Sequence, residues 1–356
     1  MNFNFTGVIK ANSLESKVPY FREGKTKKGS PYGTLNLAVS AGSNTAFIER
    51  FAMKNDVIKT IDCDGNKIEI SWEDRLDEDI VNSVANFRKY VITHNDERKE
   101  FISEYDFIQY VADNIESIKG KKFTVTGQTA KNFFNGRVSD RFQIQNMYEV
   151  TDNERKDKME LRTVIYLTKD SVDTAEWESD KRIYFNGYIR EWLSANDTGR
   201  DKSDTYYVPQ TFVLDCSKID FENERHINQL SFRLKQLGLE LEKGKIKNNI
   251  KAKGILSNMV VVKYLNGAQR VEFDESQLTG LQKEKVELGL AKIDDFRPTK
   301  DIYGEVVTEY RIFDMPLTGE FSDGPVYLED TMSEFEEQVF VFATSEEIVE
   351  EDIGTV

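Results

Sequence analysis

Apolar and polar residues alternate at period two along the first 54 residues, the pattern of strands with one face buried. Phe3, Phe5, Val8 and Ile9 predict a first strand. Thr34–Val39 alternates strictly, and Phe47–Met53 continues the theme. Between the first two strands runs Ser16–Gly33, a polar, basic loop rich in glycine and proline. Val57–Ile61 and Lys67–Trp72 flank Asp64-Gly65, which predicts a hairpin. Helical spacing then takes over at Glu78–Tyr90 and Glu104–Ile118. In the second stretch Phe107, Tyr110, Val111, Asn114 and Ile115 share one face, and Gly120 ends it. Lys122–Gln128 reads as a strand, Phe133–Arg137 as a hairpin tip around Asn135-Gly136, and Arg141–Val150 as a strand.

The second half repeats this plan. Phe5-Thr-Gly-Val-Ile-Lys10 matches Phe185-Asn-Gly-Tyr-Ile-Arg190, and Tyr32–Val39 has a counterpart in Tyr206–Leu214. A helix follows at Asn223–Leu239, with Ile227, Leu230, Leu234 and Leu237 on one face. A basic turn at Lys243–Lys247 leads into a strand at Ile250–Gly254, resembling Lys121–Gly127, and Asn266-Gly267 predicts a last hairpin. Three strands, a helix and a closing strand pair is the order of an OB-fold, a small Greek-key barrel. The fold class expected is mainly β with some α: two OB-fold-like barrels in tandem. Residues 1–155 form the first, with a helical insertion around 54–103, and 156–274 form the second. Residues 275–317 make a helix and short strands, starting with helical Glu275–Gly289, and 318–356 form a disordered acidic tail.

Charge sharpens this division. The net charge is −15 over 356 residues, which looks wrong for a nucleic-acid binder. Yet residues 318–356 hold 12 acidic residues and no Lys or Arg, leaving 51 acidic against 48 basic residues in the body. Segregated acidity is the pattern of an interaction tail. Abundant aromatics argue against global disorder. Cys63 and Cys216 form no CxxC pair, so neither a disulfide scaffold nor a zinc site is expected. The N-terminus has no signal-like organisation, and no run reaches the length of a membrane span. The expectation is a soluble protein of a reducing cytoplasm.

Catalytic signatures are absent. His94 lies in a polar stretch and His226 near a helix start, neither beside a nucleophile and an orienting acid. There is no phosphate-cradling GxxxxGK[ST] and no GxGxxG. Asp62–Asn66 echoes a calcium loop only faintly and lacks the bidentate Glu. A non-enzyme without cofactor or metal is expected, with no small-molecule substrate.

Binding to single strands needs cations for phosphates and flat rings for bases. The first loop supplies Lys17, Arg22, Lys25, Lys27 and Lys28 among Tyr20, Phe21 and Tyr32. The hairpin tip supplies Lys131, Phe133, Phe134 and Arg137. In an OB-fold these two loops flank the groove. The second copy offers Arg190, Trp192, Lys202, Tyr206, Tyr207 and Lys253.

Basic, aromatic loops on two OB-like units and an acidic, partly hydrophobic C-terminus resemble phage and bacterial single-stranded DNA-binding proteins. Lys28-Gly-Ser-Pro-Tyr-Gly-Thr-Leu-Asn-Leu-Ala-Val39 looks like the second-strand entry of phage-type members. Leu281–Arg311 looks like a segment that follows their OB units. The resemblance spans residues 1–315 in pattern. It implies protection of single-stranded DNA during replication or recombination in the cytoplasm, that of the host if the chain is phage-encoded. It also implies an acidic tail that recruits replication or recombination proteins and competes with DNA for the groove. This tail ends Glu346–Val356 without the Pro-Phe terminus of bacterial members. The competing reading is a β-rich phage structural or adaptor protein that binds only protein.

Overall fold

Alternation in Thr34–Val39 buries Leu35, Leu37 and Val39 and turns Thr34, Asn36 and Ala38 outward. The same logic builds most of the chain. The computed structural model describes residues 1–27, 29–134, 137–152, 155–271, 273, 278–297, 302–328 and 332–342. The elements are β1 (Asn2–Lys10), β2 (Phe21–Lys25), β3 (Pro31–Ala41), β4 (Asn44–Met53), β5 (Val57–Ile61), β6 (Lys67–Ser71), α1 (Glu78–Ser83), β7 (Tyr90–His94), β8 (Glu97–Phe101), α2 (Glu104–Asp113), α3 (Ile115–Ile118), β9 (Lys122–Phe134) and β10 (Arg137–Glu149). Then come β11 (Lys158–Leu167), β12 (Val172–Asp173), α4 (Trp177–Asp180), β13 (Arg182–Leu193), α5 (Ala195–Thr198), β14 (Asp204–Asp215), α6 (Glu224–Gln236), β15 (Leu239–Glu242), β16 (Lys245–Asn248) and β17 (Ile255–Val271). The chain continues through α7 (Gly280–Glu287), β18 (Ile302–Asp314), β19 (Val326–Leu328) and α8 (Met332–Gln338). The molecule is mainly β, dominated by one large sheet of 15 strands.

Strand pairing closes into two rings. In the first, β1 pairs β3, β3 pairs β4, β4 runs parallel to β10, and β9 pairs both β10 and β1. In the second, β11 pairs β13, β13 pairs β14, β14 runs parallel to β18, and β17 pairs both β18 and β11. In each ring a helix lies between the third and fourth strands: α2 with Phe107, Ile108 and Val111 buried, and α6 with Leu230 and Leu234 buried. The segment 54–103 adds the hairpin β5–β6, α1 and the hairpin β7–β8.

The rings share a ladder. Residues 2–6 of β1 pair with residues 158–162 of β11, so the sheet passes unbroken from one ring to the other. One core runs through both, from Phe5, Phe123 and Phe142 to Phe185, Phe212 and Leu256. Tyr264 joins them, its ring 5.0 Å from Phe142 and 5.3 Å from Tyr310.

Several expectations change. The two rings share a pairing order, but the motifs matched in the sequence are shifted by one strand. Phe5–Lys10 lies in the strand that opens its ring, whereas Phe185–Arg190 lies in the second strand of its own. What the two motifs share is the alternation, common to any strand with one buried face. Asn266-Gly267 is not a turn but the middle of β17, where Asn266 donates to Asn44 Oδ1. A Cβ on Gly267 would lie 2.0 Å from the Ser43 carbonyl, so the glycine is there for the close approach of the β3–β4 turn. Ile250–Gly254 forms no strand; the preceding basic turn closes the hairpin β15–β16 instead. Predicted helix Glu78–Tyr90 stops after Ser83, since Val84 turns inward and is fully buried. In predicted helix Glu275–Gly289 the described part is α7, and residues 275–277 lie outside the described residues. The strand β18, expected in an extension, is hydrogen-bonded into the second ring.

The acidic tail is not wholly disordered. Phe321 is buried, β19 pairs with Ile255–Ser257 of β17, and Phe335 and Phe342 are buried on the body. Aromatic residues interleaved with the acids give this stretch apolar surface to bury. Residues 343–356 lie outside the described residues.

Candidate nucleic-acid interface

The second and third strands of the first ring, β3 and β4, carry an open aromatic face. Register sets Tyr32 opposite Met53, Thr34 opposite Phe51, Asn36 opposite Glu49 and Ala38 opposite Phe47. Phe47 is 71% exposed and Phe51 50%, unusual for rings on a strand that also contributes buried Ala46 and Ile48. The Tyr32 and Phe51 rings lie 5.5 Å apart. Strand β2 continues the face at the side of Tyr32. At Gly24 the Tyr32 ring lies close over the backbone, since a Cβ there would come within 2.6 Å of the Tyr32 hydroxyl.

Cations rim the face. Lys17, Arg22, Lys25 and Lys27 are exposed along the loop and β2. Arg22 donates to the Lys17 carbonyl at 3.3 Å, tying the loop to the strand. At the far end Lys10, Phe47 and Arg141 line a hollow of about 360 Å³. Glu49 contributes the opposite charge, 3.5 Å from Arg141. Among the expected ring residues, Tyr20 and Phe21 are half-buried against the core and support the loop rather than stand clear of it. Lys28 lies outside the described residues, as do the side chains of Phe134 and Arg137.

In the hairpin β9–β10, Lys131 and Phe133 pack against the second ring instead of standing clear in solvent as expected. The hairpin is long enough to lie over the second ring. The Lys131 side chain is only 4% exposed, paired with Asp140 at 2.9 Å, and it donates to Gln210 Oε1 at 2.5 Å. Tyr310 donates to the other Asp140 oxygen at 2.6 Å. Lys131 is thus committed to joining the rings, since a buried ammonium needs a fixed counter-charge.

The corresponding face of the second ring, β13 and β14, presents Tyr188, Arg190, Trp192 and Tyr207. Trp192 is 65% exposed, and the Arg190 guanidinium lies 5.8 Å from the Tyr207 ring. Lys202 is exposed in the loop between these strands. Tyr206 points the other way and is buried, as alternation along β14 requires. Lys253 is exposed in the loop leading into β17, at the end of that strand paired with β19.

The C-terminal segment lies across this second face. Phe335 of α8 sits 4.5 Å from Tyr207 and 5.1 Å from Tyr188. Val339 bridges Tyr207 in parallel register, and the Phe340 amide donates to the Tyr207 carbonyl at 3.0 Å. Beyond the strand edge Phe340 meets Tyr206, and Phe342 stacks on Phe133 at 5.3 Å. The Arg200 guanidinium lies 4.8 Å from the Tyr206 ring. Glu334, Glu336 and Glu337 point to solvent.

Phe47, Phe51, Met53, Lys10, Arg141 and Tyr188 were not singled out from the sequence. The available signal was the spacing of Phe47, Glu49, Phe51 and Met53, which puts all four on the face opposite Ile48.

No family model matches the chain, and no curated protein does. One similar solved structure is a deletion mutant of the single-stranded DNA binding protein from Thermus aquaticus. The match covers 74% of this chain and 86% of that one, at 9% identity and a TM-score of 0.28. A likeness this loose carries no argument about function.

Proposed function

We propose that this chain is a sequence-tolerant single-stranded DNA-binding protein that acts without catalysis. The observation that carries the proposal is the exposed β3–β4 face, where Phe47, Phe51 and Tyr32 lie between the cations of the Lys17–Lys27 segment and Arg141. Bases stack on such rings regardless of sequence, while the rim neutralises phosphates. Both rings follow the strand order of an OB-fold, and in that fold the second and third strands form the binding face. We read them as tandem OB barrels serving DNA replication or recombination in the cytoplasm, that of the host if the chain is phage-encoded.

Within this reading the C-terminal segment regulates the second face. Its rings occupy Tyr188 and Tyr207, and its carboxylates lie outside, available to a protein partner. The test is an anisotropy titration with oligo-dT at low and high salt. Micromolar or tighter binding that weakens with salt is expected. Absence of binding at low salt, also after removal of residues 329–356, would overturn the proposal and favour a protein-binding adaptor.

A further inference from the structure

Where β4 leaves the first ring, its face runs into a cavity of about 630 Å³ between β4, the hairpin β5–β6 and the start of α2. Phe51, Met53, Val57, Trp72, Arg88 and Glu104 are among its lining residues. Its size is that of a small-molecule site. Trp72, in its wall, is braced from behind. The Arg75 guanidinium lies 3.9 Å from the Trp72 ring and is held by Asp106 at 2.7 Å.

The decisive group is Glu104, the first residue of α2, whose carboxylate the helix N-terminus favours. It is 40% exposed. Arg50 and the Tyr90 hydroxyl both donate to its Oε1. Among the described residues no donor meets Oε2. The cavity therefore joins a half-exposed ring, an exposed cation at Arg88 and one free carboxylate oxygen.

We propose that this cavity takes one unstacked nucleobase of the bound strand, stacked on Phe51 and donating its exocyclic amine to Glu104 Oε2. This deepens the single-strand reading and rests on it. Cytosine, adenine and guanine carry such an amine and thymine does not, so a sequence-tolerant protein acquires a bias at one position. A carboxylate accepting from the cytosine amine is an established mode of base readout. One net hydrogen bond corresponds to roughly a fivefold preference.

The substitution Glu104→Gln separates the possibilities. Glutamine keeps an oxygen for Arg50 and Tyr90, so the fold is retained, as a thermal melt checks. Its other atom becomes an amide donor, which repels an amine and suits the carbonyls of thymine. The wild-type chain is expected to bind oligo-dC roughly fivefold more tightly than oligo-dT at equal length and salt. E104Q is expected to abolish or reverse that ratio. Equal binding of dC and dT by the wild-type chain, or an unchanged ratio in E104Q, would overturn the base site while leaving the single-strand reading intact. No binding of either oligonucleotide would overturn both.

Discussion

Phe47 and Phe51 show what a single side chain contributes to this surface. Neither is needed for the core, because the inward positions of β4 belong to Ala46, Ile48 and Ala52. Each offers a flat ring to solvent at positions where a polar residue would serve stability as well. Stacking on such a ring contributes about 1–3 kcal/mol per base. Replacing both by alanine is expected to weaken oligo-dT binding by roughly tenfold or more. The slope of affinity against salt should stay unchanged, because no cation is lost. An anisotropy series at several salt concentrations measures both, and an unchanged affinity would remove these rings from the interface.

At the scale of elements, the segment from α8 to Phe342 behaves as a bound peptide that happens to be covalently attached. It adds a backbone bridge to the open edge of β14 and sets three rings into aromatic contacts. A cover that is closed nine-tenths of the time lowers apparent affinity about tenfold. Truncation after Leu328 is therefore expected to raise oligo-dT affinity. The pair Phe335→Ala and Phe340→Ala should do the same without altering charge. If truncation alone has an effect, the acids act through long-range repulsion and the aromatic contact is incidental.

Sequence reached some elements and missed others for identifiable reasons. Strands such as β3 were legible because one face is buried and the other wet. The helix α6 was legible from Ile227, Leu230 and Leu234. Gly267 was misread because a glycine needed for close approach looks the same as one needed for a turn. Lys131 and Phe133 looked like an exposed basic-aromatic tip because a hairpin sequence does not say what it lies upon. The fold of Phe335–Phe342 onto the body was hidden by the surrounding acids, which dominate any average over that stretch.

At the scale of the whole molecule, the two rings meet through a small, largely buried polar knot, Lys131–Asp140–Tyr310. Burial first, and then Asp140, pushes the Tyr310 phenol well above its usual value. Tyr264 beside it is pushed up to about 12, mainly by burial. The folded state thus favours the protonated phenols. Their contribution is complete below the ordinary tyrosine pKa of about 10 and is lost as pH rises through the folded values. The melting temperature is expected to fall steeply above about pH 10. In Tyr310→Phe it should start lower at neutral pH and fall less steeply. Parallel curves for the two proteins would show that Tyr310 does not couple the rings to pH.

The β1–β11 ladder has a mechanical consequence. Two barrels on a flexible tether could each sample its own orientation on a strand of DNA. Two strand rings that share a hydrogen-bonded ladder are held together by that ladder, so the separation and angle between their faces are set before any ligand arrives. Under the proposed function, the open first face and the covered second face give the molecule two distinct footprints on a single strand. Under that function, uncovering the second face lengthens the stretch of strand held by each copy.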